Sequence, residues 1–137
     1  VEDILYSRGV GDTEGDQGEL ARADRHASPG GVICVVAPAH QSLYSKVDKA
    51  IGHFRRYNKQ TLAAAGPASL KLEQLEYLDC FGLLVSMGNR MLLDSGTPTH
   101  RQVQFWDRAL VPISLIIDPM IGYRAGRSVL AVWRLSK

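Results

Sequence analysis

An α/β fold is the prediction for this chain, and three observations carry it. Val32 to Ala37 is a continuous run of small and β-branched apolar residues, entered through Pro29-Gly30-Gly31. Ser128 to Leu135 alternates apolar with polar and ends aromatic and β-branched. The stretches between carry apolar residues at helical intervals of three and four. The order helix, strand, helices, strand, helices, strand implies an α/β sheet of about three strands, which is small for helices on both faces. At 137 residues and 45% hydrophobic, the chain suits one domain with a true core.

Taken in order, Val1 to Gly18 holds four glycines and five acids without periodicity. It reads as irregular, with a short strand entertained at Ile4–Tyr6. Gln17 to His26 reads as a short helix. Pro29-Gly30-Gly31 is a turn, because proline fixes φ and glycine accepts positive φ. The run from Val32 fits a strand covered on both faces, as in a parallel sheet. From Ser42 a helix is predicted, with Leu43, Val47, Ile51 and Phe54 on one apolar stripe. Asn58 then caps a short helix, Lys59 to Ala65, closed by Gly66-Pro67. Leu70 to Tyr77 alternates only in part and reads as a strand. Phe81 to Leu93, His100 to Leu110 and the proline-broken Leu110 to Ile121 read as helices. Their leucines, together with Met87, Met91, Trp106 and Met120, are read first as core packing.

The composition excludes several functions. Sixteen basic and 14 acidic residues give a net charge of +2, too balanced for a dedicated nucleic-acid surface. Cys34 and Cys80 stand in apolar surroundings without a further ligand at metal spacing, so they read as buried, reduced thiols and no metal is expected. The polar, acidic start does not resemble a signal peptide. The most apolar window, Ala109 to Ile121, is interrupted by Pro112, Asp118 and Pro119. It is too short to span a bilayer, although it can touch one. A cytoplasmic location is the expectation.

Polar chemistry gathers just past the first strand. His40 follows the strand's carboxyl end, where open α/β sheets build ligand sites. It is either a base or substrate contact or a histidine that caps the following helix or is satisfied by backbone. Gly52-His53-Phe54-Arg55-Arg56-Tyr57 places an imidazole, two guanidiniums and a phenol within six residues. Paired arginines either clamp an anion bidentately or form a solvated face. Asp48, one turn earlier, either pairs with a basic neighbour or orients His53, and pairing is favoured.

These residues resemble a known pattern. Pro29-Gly30-Gly31 and the apolar strand are similar to the turn entering the fifth strand of class I S-adenosylmethionine-dependent methyltransferases. Val36-Ala37-Pro38-Ala39-His40, Leu43-Tyr44, Asp48 and Gly52 to Tyr57 resemble a bacterial subgroup of that family. Tyr77 to Gly82, Gln102 to Pro112 and Gly126 to Val132 resemble its later segments, with Asp79 where the family usually has asparagine. The resemblance implies the C-terminal part of a Rossmann-like methyltransferase domain over residues 19–137, after an irregular segment, 1–18. A helical cap at about residues 80–125, inserted before the last strand, would face substrate. It implies S-adenosylmethionine as cofactor of the complete enzyme and a small-molecule, glycan-type or lipid-like acceptor. His40 and His53 would be catalytic, and Asp48, Arg55, Arg56 and Tyr57 would contact substrate.

The family's glycine-rich cofactor turn has no counterpart in the 29 residues before Gly30. Gly9-Val10-Gly11 is not assigned to it, because no room remains for the intervening strands. No cofactor-binding residue is therefore named. The sequence is expected to be a truncated form that binds cofactor weakly and self-associates through an exposed sheet edge. The alternative is a non-catalytic binding or regulatory module derived from a methyltransferase.

Overall fold

Four strands form one mixed sheet: β1 (Ile4–Ser7), β2 (Val32–Pro38), β3 (Leu70–Leu78) and β4 (Ser128–Leu135), in the order β1-β2-β4-β3. The structure, a computed structural model, describes residues 4–7, 30–50, 53–66, 68–92 and 99–135. The sheet therefore has one strand more than the sequence implied. The fourth is the short strand entertained at Ile4–Tyr6 and observed at Ile4–Ser7, which pairs in parallel with β2. The helix expected at Gln17 to His26 and the Gly9–Gly15 segment lie outside the described residues.

β2 is interior, but it is not an all-parallel strand covered equally on both faces. β4 runs antiparallel to it, and burial alternates along it. Ile33, Val35 and Ala37 are fully enclosed, while Val32, Cys34 and Val36 on the opposite face are only partly covered. β-Branched residues suit either face of a pleated sheet, so an unbroken apolar run does not reveal which face is sealed.

The core lies on one side of the sheet. Ile33, Val35 and Ala37 stand opposite Trp133, Ala131 and Val129 of β4. The helix α2 (Lys59–Ala65) adds Leu62 to this cluster; each such large side chain contributes about 1.5–3 kcal/mol when fully buried. Asn58 starts α2 as expected: its side chain accepts from the Thr61 amide at 2.7 Å, and the Thr61 hydroxyl accepts from the Asn58 amide at 2.9 Å. Gly66 ends the helix under Trp133. A Cβ there would lie 2.5 Å from the indole nitrogen, so the close passage requires glycine.

The long helix predicted from Ser42 to Phe54 does not form. A 3₁₀ turn, Gln41–Leu43, precedes the short helix α1 (Lys46–Ala50), and residues 53–56 are irregular. Phe54, placed on a buried stripe by its spacing, is 55% exposed. The cause is local. The Asp48 carboxylate accepts from the Ser45 amide and hydroxyl at 2.8 and 2.9 Å and from Arg56 beyond the turn. These bonds fold the chain back, so that Tyr57 pairs with Ala39 beside the end of β2.

Between β3 and β4 run the helices α3 (Cys80–Leu92), α4 (His100–Phe105) and α5 (Val111–Met120). A π-helical turn, Trp106–Leu110, joins the last two. Pro112, without an amide hydrogen, sits in the first turn of α5, where a widened preceding turn relieves its clash. The apolar side chains of this insert were expected in the core, and many are not: Leu84, Met87, Phe105, Leu115, Ile116 and Met120 are exposed. Among the described residues no helix is long and apolar enough to cross a membrane.

Candidate functional site

β4 lies antiparallel between β2 and β3, so the carboxyl ends of β2 and β3 and the start of β4 meet at one end of the sheet. Backbone bonds close that end. Ala39 donates to Arg127 at 2.8 Å, Arg127 to Asp79 at 3.0 Å and Tyr77 to Tyr123 at 3.1 Å. The site residues stand on this platform.

His40 is the first residue beyond the pairing and has φ +63° with ψ +97°. A left-handed φ on a side chain other than glycine costs on the order of 1–3 kcal/mol and persists only where neighbours impose it. Here the neighbours are identifiable. The His40 amide donates to the Tyr57 carbonyl and the Tyr57 amide to the Pro38 carbonyl, both at 2.8 Å. The His40 ring stacks on Tyr77 at 5.0 Å, with Nε2 2.9 Å from the Gly126 carbonyl oxygen. A carbonyl only accepts, so Nε2 carries the hydrogen and, in the neutral ring, Nδ1 keeps its lone pair. The His40 side chain therefore does not cap the turn that follows it; its ring is satisfied by a backbone carbonyl from across the sheet, as the second reading of this residue allowed. Gly126 is required there, because a Cβ would collide with the Leu78 backbone.

Tyr77 carries a second group. The Lys59 ammonium lies 5.0 Å from the centre of its ring and donates to the Tyr123 carbonyl at 3.1 Å. The Lys59 amide also donates to the Tyr77 hydroxyl at 3.3 Å. An imidazole, a phenol and an ammonium thus share one sheet end. Sequence reasoning named only His40 of the three. Tyr77 belonged to a recognised segment without a role, and Lys59 carried no signal beyond its place after a helix cap.

Arg56 grips Asp48 in a bidentate pair, Nε to Oδ1 and Nη2 to Oδ2, both 3.0 Å, with both side chains nearly enclosed. Its Nη1 donates to the Ala39 carbonyl at 3.2 Å, and its amide to Gln41 Oε1 at 2.8 Å. The guanidinium is thereby occupied in fixing the segment on both sides of His40. Burial alone would push the Asp48 carboxyl up, but the bonds from Arg56 and Ser45 outweigh it and hold the group below the usual carboxylate range. Arg55 is exposed, and Tyr57 lies in the core at 4% exposure. His53 is half-buried; its amide donates to the Asp48 carbonyl and its carbonyl accepts from the Tyr44 hydroxyl at 2.7 Å. Asp48, Arg56 and Tyr57 support the His40 group from behind.

The helical insert is fastened to the same sheet end. Asp118 is buried and accepts from the Asp79 and Cys80 amides at 2.7 and 3.0 Å. The Ser114 hydroxyl donates to Asp79 Oδ1 at 2.9 Å and accepts from the Phe81 amide at 3.2 Å. Asp79, at φ +64°, also accepts from the Gly82 amide at 2.9 Å. α5 thus satisfies the unpaired amides that open α3. Burial first, and then the Asp118 carboxylate, push the Cys80 thiol up, and burial does the same for Cys34, so neither thiol is activated. Both cysteines are free of disulfides. Among the described residues, no three His, Cys, Asp or Glu side chains gather to hold a metal ion.

No family model matches the chain, and no curated protein does either.

Proposed function

We propose that this chain is part of an S-adenosylmethionine-dependent methyltransferase and that the end of β2 faces a small-molecule or glycan-type acceptor. The observation carrying the reading is His40, in a left-handed backbone conformation, with Nε2 bonded to Gly126 and Nδ1 left as the basic nitrogen. Support comes from the segments that resemble the bacterial subgroup, from the interior position of β2 and from the helical insert before the last strand. Methyl transfer from a sulfonium is an in-line displacement, so positioning and proton removal are what a protein contributes. His40 Nδ1 takes the proton of an acceptor hydroxyl. Gly126 and Tyr77 hold the ring, and the Asp48–Arg56 pair holds the backbone that carries it.

The described residues do not fit the cofactor. No glycine-rich turn follows a strand among them, so no step is routed through the cofactor here and its binding is assigned to the complete enzyme. A cytoplasmic location accompanies this reading. The second reading is a non-catalytic module, favoured by the occupation of Arg56 with Asp48 and Ala39 rather than with a solvent-facing site.

One experiment separates the two. Protein expressed from its entire reading frame is incubated with methyl-tritiated S-adenosylmethionine and the small-molecule and lipid fractions of its host. Label should enter an acceptor, and His40→Ala should lower the rate by about 10²–10⁴-fold, the range for loss of a general base. Absence of label, or a His40→Ala rate equal to the parent's, overturns the reading.

A further inference from the structure

We propose that the outer face of α5 and the helical turns before it form a docking surface for an anionic lipid bilayer, whether or not the chain transfers methyl groups. α5 is inverted relative to an ordinary surface helix. Its two buried side chains are polar, Ser114 and Asp118, and they are engaged with the start of α3. Leu115, Ile116 and Met120 point outward with 71%, 67% and 76% exposure, and Pro112 and Pro119 lie on the same arc. At about 100° per residue, the arc from Leu115 to Ile113 contains no polar side chain. Phe105, the last residue of α4, is likewise 61% exposed. Contiguous exposed apolar residues on this scale mark a site of interaction.

The flanking charges select the occupant. Exposed arginines flank α5 in the chain, Arg101 and Arg108 before it and Arg124 after it, against one exposed acid, Asp107, among the described residues from 99 to 124. None of the three arginines forms an ion pair among the described residues. Apposing two copies along this arc sets guanidinium against guanidinium, whereas lipid phosphates neutralise them while the apolar side chains enter the acyl boundary. Long arginine stems reach from the depth of the helix to the headgroups.

The test is co-sedimentation of the chain with vesicles of phosphatidylcholine alone and of phosphatidylcholine mixed with phosphatidylglycerol. Binding is expected to the mixed vesicles and to weaken with salt. Each of Arg101→Gln, Arg108→Gln and Arg124→Gln should weaken it about fivefold. The combined Leu115→Ser, Ile116→Ser and Met120→Ser variant should weaken it by about 100-fold or more. All of these side chains are exposed, so every variant should keep the parent's circular dichroism and melting behaviour, and the arginine variants read out independently of the apolar ones. The proposal is overturned by absence of binding, by equal binding to both vesicle types, or by variants that bind like the parent. It is equally overturned if light scattering shows a parent dimer that the triple substitution makes monomeric.

Discussion

Asp48 and Arg56 show how a residue that reads as a substrate contact acts on the site from behind it. The carboxylate accepts from four donors, and the guanidinium reaches the carbonyl next to His40. Asp48→Asn leaves a nearly enclosed cation without its counter-charge, and about 3 kcal/mol of unfolding free energy should be lost at neutral pH, measured in urea. The pH dependence follows from the lowered carboxyl. A carboxylate held below its ordinary value of about 3.9 stabilises the fold fully above that value. The contribution disappears as pH falls through the lower, folded value. Parent and Asp48→Asn should therefore differ most near neutrality and converge in acid. The spacing of Asp48 before the arginines was readable in the sequence, and pairing was the favoured reading. What was unreadable was that Arg56 would be the partner and would also hold Ala39, since that depends on the chain reversing between them.

At the scale of elements, the strands and the capped helix α2 were legible because their signals are local. β4 announces itself by alternation, β3 by partial alternation that a bulge between Leu72 and Gln74 interrupts, and α2 by Asn58 with Thr61 three residues on. The helix expected through Phe54 was misread because its apolar period is genuine, yet side-chain bonds to Asp48 compete with helix propagation. The insert was misread for the opposite reason. Its apolar residues looked like core, but α5 turns Ser114 and Asp118 inward because the opening turn of α3 needs acceptors. Asp118→Ala should strand the Asp79 and Cys80 amides and cost about 2 kcal/mol. Hydrogen exchange at those amides should accelerate more than at the buried residues of β2. Equal protection in parent and variant would show that Asp118 does not fasten the insert.

On the scale of the whole molecule, the antiparallel insertion of β4 between β2 and β3 gathers residues that lie far apart in sequence. His40, Tyr77 and Gly126 meet only because the ends of β2 and β3 and the start of β4 coincide. The sequence marked His40 through its place after an apolar strand, but its partners depend on strand order, which hydropathy does not encode. The same topology bears on self-association. β3 is an outer strand whose bulge and exposed Lys71, Glu73 and Gln74 discourage pairing. Edge pairing would thus fall to β1, which has no outer neighbour among the described residues.

The most direct measurement is nitrogen-15 NMR of the His40 ring in the folded chain at neutral pH. The geometry requires a proton on Nε2, held against the Gly126 carbonyl, and a ring in contact with Tyr77. A ring protonated on Nδ1 instead, or one averaging both forms without contact to Tyr77, would contradict it.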